Sequence, residues 1–471
     1  MNHYLSRRSF ISRAAMVGGG VMLSNSLLGK IPFASANERV NLACVGVGNR
    51  AGEIIRDLYK TGLCNIVALC DVDMGAKQTE PILKQFPDAP RFQDFRQMFD
   101  KMGNQIDAVV IGTPDFAHFA VTMMALDLGI HVYVEKPMAH TFWEAELMMQ
   151  KAKKHHKVVT QMGNQGHSEA NYFQFKAWKD AGIIKDVTRI DAHMNNARRW
   201  HPWDTNIKNF PAAERIPDTL DWEIWQMQTL GHDYNKDFVN GQWRCWFDFG
   251  MGALGDWGAH ILDTAHEFLE LGLPTEVEAT FLEGHNAFFF PKSSTIKFHF
   301  PKRRKMPAVD ITWYDGLDNL PQIPEGYGVS GLDPNIPPPS TGALEPAKLN
   351  PGKIIYSKDL TFKGGSHGST LEIIPEGKAE DLKHRLPEVP ESPSNHFANF
   401  LKACKGEEKT RSPFEVAGPL SQVFCLGVIT QRLNGKIAVE QVKQDITNYQ
   451  VANALLVRAK QARGWGQFYK V

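Results

Sequence analysis

Three residues of this chain combine a side chain able to move a proton with a sequence setting that could place it: Lys136, Asp256 and His260. Lys136 closes a β-branched and aromatic run, His131-Val132-Tyr133-Val134-Glu135-Lys136-Pro137. Proline has no N–H for a central ladder, so a strand should stop at Lys136 and hold its amine at the strand's carboxyl end. In an open α/β sheet that rim is where ligands bind. Alone, such a lysine reads more readily as a solvated strand end. Asp256, His260 and Asp263 lie at i, i+4 and i+7 in a glycine-rich segment, Gly250 to Asp263, whose helical spacing continues to Glu270. They share one helix face. An Asp and a His so placed can ligate a metal, orient each other for acid–base work or form a surface pair, and spacing leaves all three open.

A second chemistry-bearing stretch precedes these. Val40–Val45 reads as a short apolar strand, followed at once by Gly46-Val47-Gly48-Asn49-Arg50-Ala51-Gly52 and a helical pattern from Glu53 to Lys60. This is the G-x-G-x-x-G/A fingerprint between a strand and a helix. Gly46 suits the tight turn, Gly48 lets backbone approach a pyrophosphate, and Ala51 or Gly52 permits close helix–strand packing. The helix start, with Asn49 and Arg50, offers N–H groups and a positive dipole end to phosphates. Asp71 ends the next strand, Ile66–Cys70, where a carboxylate can accept a hydrogen bond from a ribose 2′-hydroxyl and repel a 2′-phosphate. NAD is therefore expected over NADP.

The elements needed to position these groups follow in order. Strands at Ala108–Ile111, at the Lys136 run and at Val158–Met162 alternate with helical patterns to Leu128 and from Thr141 to His155. Such alternation predicts a parallel sheet with right-handed crossovers. The first of these strands ends in Gly112-Thr113-Pro114-Asp115-Phe116-Ala117-His118, so Thr113-Pro114 and Lys136-Pro137 should reach the same rim and flank the nicotinamide end of a cofactor.

The GVGNRAG turn, the TPDFAH segment and the EKP motif, in this order from Val40 to Gly163, resemble the Gfo/Idh/MocA oxidoreductase family. The resemblance implies a Rossmann domain followed by an α+β domain with an open, mostly antiparallel sheet. It implies cofactor contacts at Gly46, Gly48, Asn49, Arg50, Asp71, Thr113, Pro114, His118, Glu135 and Lys136. It also implies a catalytic set in which Lys136 sits beside the nicotinamide, Asp256 binds or orients substrate and His260 exchanges the hydroxyl proton, with Asp263 structural. A cationic ring beside an ammonium favours release of its proton, and imidazole titrates near working pH, which gives these roles physical sense.

After Gly163 the pattern changes. A helix is expected from Ser168 to Ala181, then a strand from Val187 to Met194, then the aromatic and basic stretch Asn195 to Trp203. Asn164, His167, Arg198, Arg199 and Trp257 are the candidates for holding substrate. Strands are expected at Glu276–Thr280, Thr295–Phe300 and Ala308–Tyr314, a Pro/Gly-rich loop over 317–352, and helices at Ser394–Ala403 and Glu415–Arg432. The domain reading is 1–36 signal peptide, 37–163 nucleotide-binding domain and 164–471 substrate-binding and oligomerisation domain, with a homo-oligomer formed through the second sheet.

The N-terminus orders Ser6-Arg7-Arg8-Ser9-Phe10, a Gly-rich apolar segment and Ala34-Ser35-Ala36, the parts of a twin-arginine export signal. A periplasmic protein is expected, with no membrane span beyond that segment. The 52 basic and 52 acidic residues balance to a formal net charge of +0, which leaves no electrostatic footprint for nucleic acid. The 6 cysteines contain no C-x-x-C pair, so neither a disulfide framework nor a metal site is expected. Together these features point to an oxidoreductase moving hydride between a sugar or sugar-derivative hydroxyl and tightly held NAD. The alternatives are an NAD-dependent glycosidase or lyase using transient oxidation, and a non-catalytic sugar- or nucleotide-binding protein.

Overall fold

A computed structural model describes residues 38–196, 206–328, 349–458 and 464–471. The export signal, Arg198 and Arg199, and most of the Pro/Gly-rich loop lie outside the described residues. The chain builds two sheets, each in the α/β class expected for it.

The first is a six-stranded sheet of order β3-β2-β1-β4-β5-β6. Its strands are β1 (Val40–Val45), β2 (Cys64–Cys70), β3 (Arg91–Phe92), β4 (Ala108–Ile111), β5 (His131–Val134) and β6 (Thr160–Met162). All of its pairs are parallel. Residues alternate along each strand between the two faces of the sheet. Leu42 and Cys44 of β1 face the helix Asn49–Lys60 with Ile54, Ile55 and Leu58, while Ala43 and Val45 enter the larger core on the other side. That first face is closed from far along the chain by Phe400 and Leu401 of the helix His396–Cys404.

The second sheet has nine strands in the order β13-β12-β11-β7-β10-β9-β8-β14-β15. β7 (Val187–Met194), β8 (Glu276–Glu283), β9 (Ser293–Phe300) and β10 (Val309–Asp315) lie where periodicity placed them. β7 and β10 pair in parallel, and the remaining pairs are antiparallel. β11 (Gly352–Ser357), β12 (Thr361–Gly364) and β13 (Leu371–Ile374) extend the sheet past β7, and β14 (Lys436–Glu440) and β15 (Asp445–Ile446) extend the other edge. The long helix Phe414–Leu433 packs between the two sheets and carries Phe424, buried against Gly258. Ile111 and Val134 of the first sheet share one apolar cluster with Phe298 and Trp313 of the second.

Two local expectations need correction. β5 ends at Val134: the Glu135 N–H makes a last bond to β4 at the Ile111 carbonyl, and Lys136 stands beyond the ladder. The helical run from Gly252 to Glu270 is two helices, Gly252–Ile261 and Asp263–Phe268, broken at Leu262. Asp263 therefore turns away from Asp256 and His260 and bonds His167.

Candidate active site

The glycine turn meets the requirements of a dinucleotide cradle. Gly46 has φ +79°, and a Cβ there would fall 2.9 Å from the Gly112 carbonyl carbon. Only glycine adopts that backbone against a neighbouring strand end without strain. A Cβ at Gly112 would stand 2.5 Å from Ala51 Cβ and one at Gly52 3.0 Å from the Val47 carbonyl oxygen, so Gly112 and Gly52 let helix and strand end approach closely. Gly48 caps the helix Asn49–Lys60 with no side chain on the first-turn N–H groups, which leaves them to a phosphate. The helix begins at Asn49, earlier than its apolar periodicity suggests, and Arg50 pairs with Glu53 at 2.7 Å. Asp71 accepts the Val47 N–H at 2.9 Å and the Asp73 N–H at 3.1 Å, so it braces the turn while lining the cavity. Desolvation raises Asp71 to about 6 against the pull of those two N–H groups, and it is ionised at neutral pH.

From this turn a cavity of about 530 Å³ runs along the strand ends to Lys136, Asp256 and His260. Lys136 Nζ donates to Asp256 Oδ1 at 2.7 Å and to the Asp256 carbonyl at 2.6 Å. Arg244 Nη1 stands 3.5 Å from Asp256 Oδ1 and 3.8 Å from Asp115 Oδ1. Asp115 accepts the Met251 N–H at 3.1 Å, tying the end of β4 to the start of the helix that carries Asp256 and His260. Burial lifts Asp115 to about 7, although Arg244 and Lys136 oppose the rise. Ammonium and guanidinium groups thus take the Asp256 carboxylate, the opposite of a metal pair. The His260 imidazole is buried, and its Nδ1 has no hydrogen-bond partner. Desolvation first, then His367 and Lys136, hold it well below the ordinary histidine range, while Asp256 opposes them. The ring is therefore neutral at working pH and able to accept a proton.

The other expected positions divide clearly. Gly46, Gly48, Asn49, Arg50, Asp71, Thr113, Pro114, Glu135, Lys136, Asp256, Trp257 and His260 all line the one cavity. His118 does not. Its Nδ1 lies 2.7 Å from the Pro137 carbonyl and its Nε2 2.9 Å from that of Thr113, so it braces the rim from behind. Burial lowers it to about 4 despite both carbonyls. Asn164 and His167 also stand outside the cavity lining, because both turn to Asp263. Glu135 accepts from Gln165 at 3.1 Å and lies with Arg50 on the cavity wall. Arg244, Asp115 and His367 were not singled out from sequence. Arg244 sits in Trp243-Arg244-Cys245-Trp246, a basic residue among aromatics, and His367 sits between Ser366 and Gly368, so each had a weak local signal.

Residues 40–163 match the family described as "Oxidoreductase family, NAD-binding Rossmann fold", and residues 183–287 match its "C-terminal alpha/beta domain". Both domains of the Gfo/Idh/MocA oxidoreductase family are thus matched along this chain. Its first domain is the NAD-binding domain of that family, as the cradle requires. Among curated relatives, the inositol 2-dehydrogenase of Salmonella typhimurium is 26% identical over 195 residues, 41% of this chain and 54% of that protein. A glycosyl hydrolase family 109 protein of Solibacter usitatus is 27% identical over 212 residues, 41% of this chain and 47% of that protein. The chain spans about half the length of these Gfo/Idh/MocA relatives. Among solved structures, the WlbA dehydrogenase of Chromobacterium violaceum, in complex with NADH and UDP-GlcNAcA, aligns with a TM-score of 0.56 at 15% identity. The alignment covers 88% of this chain and 99% of that one, and shows the shared fold.

Proposed function

We propose that this protein is an NAD-dependent oxidoreductase acting on a hydroxyl of a sugar or sugar derivative. One observation carries the reading: the Lys136–Asp256 ion pair and the neutral His260 imidazole line the same cavity as the glycine turn. Bound NAD supplies the hydride acceptor or donor. The His260 imidazole takes the substrate hydroxyl proton as the carbinol C–H is lost, and returns it in the reverse direction. Lys136 stabilises the negative charge developing on the substrate oxygen, and Asp256 fixes the ammonium for that task. Such pre-aimed charge in a closed site contributes more than it would in water. Lys136 and Arg244 already face Asp256 and Asp115, so the site is close to electrically balanced and suits a neutral, hydroxyl-rich substrate.

We also infer that the cofactor is held tightly. The segment from Pro217 to Arg244 lies along the cleft opposite the glycine turn. It is tied to the nucleotide domain where Thr219 donates to Asp73 at 2.7 Å, Gln93 to the Thr219 carbonyl at 2.9 Å and Asp221 N–H to the Val72 carbonyl at 2.8 Å. Gln78 donates to Asn240 at 3.0 Å farther along. Nucleotide would have to part these bonds to leave. Protein purified without added cofactor is expected to carry stoichiometric nucleotide, and a panel of polyols and monosaccharides should change its NADH fluorescence. Empty protein that binds NAD weakly would overturn tight retention.

A second reading is supported by the similarity to glycosyl hydrolase family 109 proteins. The same three side chains could serve a transient oxidation that labilises a neighbouring C–O bond. Free sugar released from a glycoside without net NADH would select it over dehydrogenation. We further propose export by the twin-arginine route. Changing Arg7 and Arg8 to lysine should hold the full chain in the cytoplasm on fractionation, and unchanged periplasmic recovery would refute it.

A further inference from the structure

His367 reaches the site from the loop between β12 and β13, more than 100 residues along the chain from His260. Its ring lies flat on that of His260, with centroids 3.8 Å apart and planes 19° from parallel. Trp257 meets it edge-on at 5.2 Å and 84°. The loop is held on several sides. The His367 N–H donates to the His260 carbonyl at 3.1 Å, and Ser366 Oγ lies 2.9 Å from His367 Nδ1. Asn171 N–H donates to the Gly368 carbonyl at 3.2 Å. A Cβ on Gly166 would fall 2.7 Å from Gly368 N, so the turn Gln165–Ser168 leaves no room beneath. His367 itself has φ +50°, a left-handed backbone that a non-glycine residue keeps only when its surroundings impose it. The loop thus spends strain and several bonds on setting one imidazole against another at the cavity wall.

We propose that His367 is a positioning residue for proton transfer: stacked on His260, it fixes that ring's orientation and limits the pair to a single proton. This rests on the reading of His260 as the proton carrier. Two imidazolium rings at this separation would repel strongly in a closed site, so protonating one opposes protonating the other. The remaining charges facing His260 are Lys136 beyond β5, Arg50 on the helix after the glycine turn and Asp256 on its own helix. The elements packed on that helix carry His167 in the turn Gln165–Ser168, Asp191 and His193 on β7, Asp310 and Asp315 on β10, and Asp263, His266 and Glu267 on the helix Asp263–Phe268. The helix Phe414–Leu433 presents apolar Phe424 there. Asp256 is a carboxylate acting on the His260 ring, and Lys136 and Arg244 hold it. Imidazole is the side chain whose charge changes near neutral pH, and His367 is the imidazole stacked on this ring.

The test compares His367→Phe, which keeps a flat ring without a proton, with His367→Ala, which removes the stack. In His367→Phe the acid limb of the pH–kcat/KM profile should move to higher pH by about one unit, with the plateau within a few-fold of wild type. His367→Ala should lower the plateau by roughly tenfold or more, because the base loses its orientation. Histidine-selective NMR titration of the full protein reads the same pairing without substrate: the His260 resonance should titrate at higher pH in His367→Phe than in wild type. An unmoved acid limb together with an unmoved His260 titration overturns the proposal. Should the variants not fold, the wild-type titration still decides, since independent titration of both rings near pH 6.5 would also overturn it. Turnover that survives His260→Ala defeats the functional reading instead, and leaves the NMR result to stand or fall alone.

Discussion

At the residue scale, the site is a small set of buried charges whose balance decides which substitutions hurt. Lys136 and Asp256 form a pair nearly closed to water, with side-chain exposures of 11% and 9%. Removing one member of a buried pair leaves the other uncompensated. Lys136→Met is expected to cut kcat/KM by about 10²- to 10³-fold, the usual cost of removing a group aimed at developing charge. Arg244 stays 3.5 Å from Asp256, so folding should survive that change. His260→Ala should fall in the same range of activity loss. Steady-state kinetics on the substrate found by the fluorescence screen check both, and near-wild-type turnover in either would remove that residue from the mechanism. The Lys136 strand end and the D-x-x-x-H spacing of Asp256 and His260 were visible as local signals, and only the family resemblance attached roles to them. Asp115 and Arg244 were not, since their meaning comes from meeting Asp256 across two chain segments. His167 looked like a ligand for substrate, yet Asp263 and Glu267 hold it 3.1 and 2.5 Å away inside the protein.

At the element scale, strands with strong apolar alternation were readable almost to the residue, as β1 and β7 show. Strands β11 to β13 at one side of the second sheet were not, because β12 and β13 are only four residues each, Thr361–Gly364 and Leu371–Ile374. The chain's end was also silent in sequence. Trp465 and Phe468 pack on Phe95, Tyr469 packs on Phe119, and the Tyr469 hydroxyl reaches Glu144, all contacts between distant segments. The Pro217–Arg244 segment is the element with a functional consequence. Gln93→Ala with Thr219→Val removes two of the hydrogen bonds that tie it down. At about 0.5–1.5 kcal/mol each, their loss should speed NAD release by roughly tenfold or more. Stopped-flow chase of bound nucleotide measures this, and an unchanged release rate would show that the segment does not govern exit.

At the scale of the whole molecule, one apolar cluster joins the two sheets, so titration anywhere in it bears on a shared unfolding transition. His118, His140 and His266 are lowered to about 4 and His193 and His396 to about 3, in each case chiefly by burial. The unfolded chain binds protons at these five positions from pH 6.5 downward while the fold does not, so acidification from 6.5 costs stability. Asp71 and Asp115, raised to about 6 and 7, work the other way over that window but are fewer. His167 sets the alkaline side. Burial lowers it, but bonds to Asp263 and Glu267 outweigh burial and lift it to about 9. Its folded value exceeds the ordinary 6.5, so its stabilisation is complete below pH 6.5 and lost as pH rises through 9. Over that span the loss is on the order of 3 kcal/mol. The Tm, measured by calorimetry with the nucleotide content held constant, should peak near pH 6.5 and decline on both sides. His167→Gln should start lower and flatten the alkaline limb while leaving the acid limb in place. A variant whose Tm still falls as steeply from pH 6.5 to 9 would show that the His167 clamp between the turn Gln165–Ser168 and the helix Asp263–Phe268 is not what titrates.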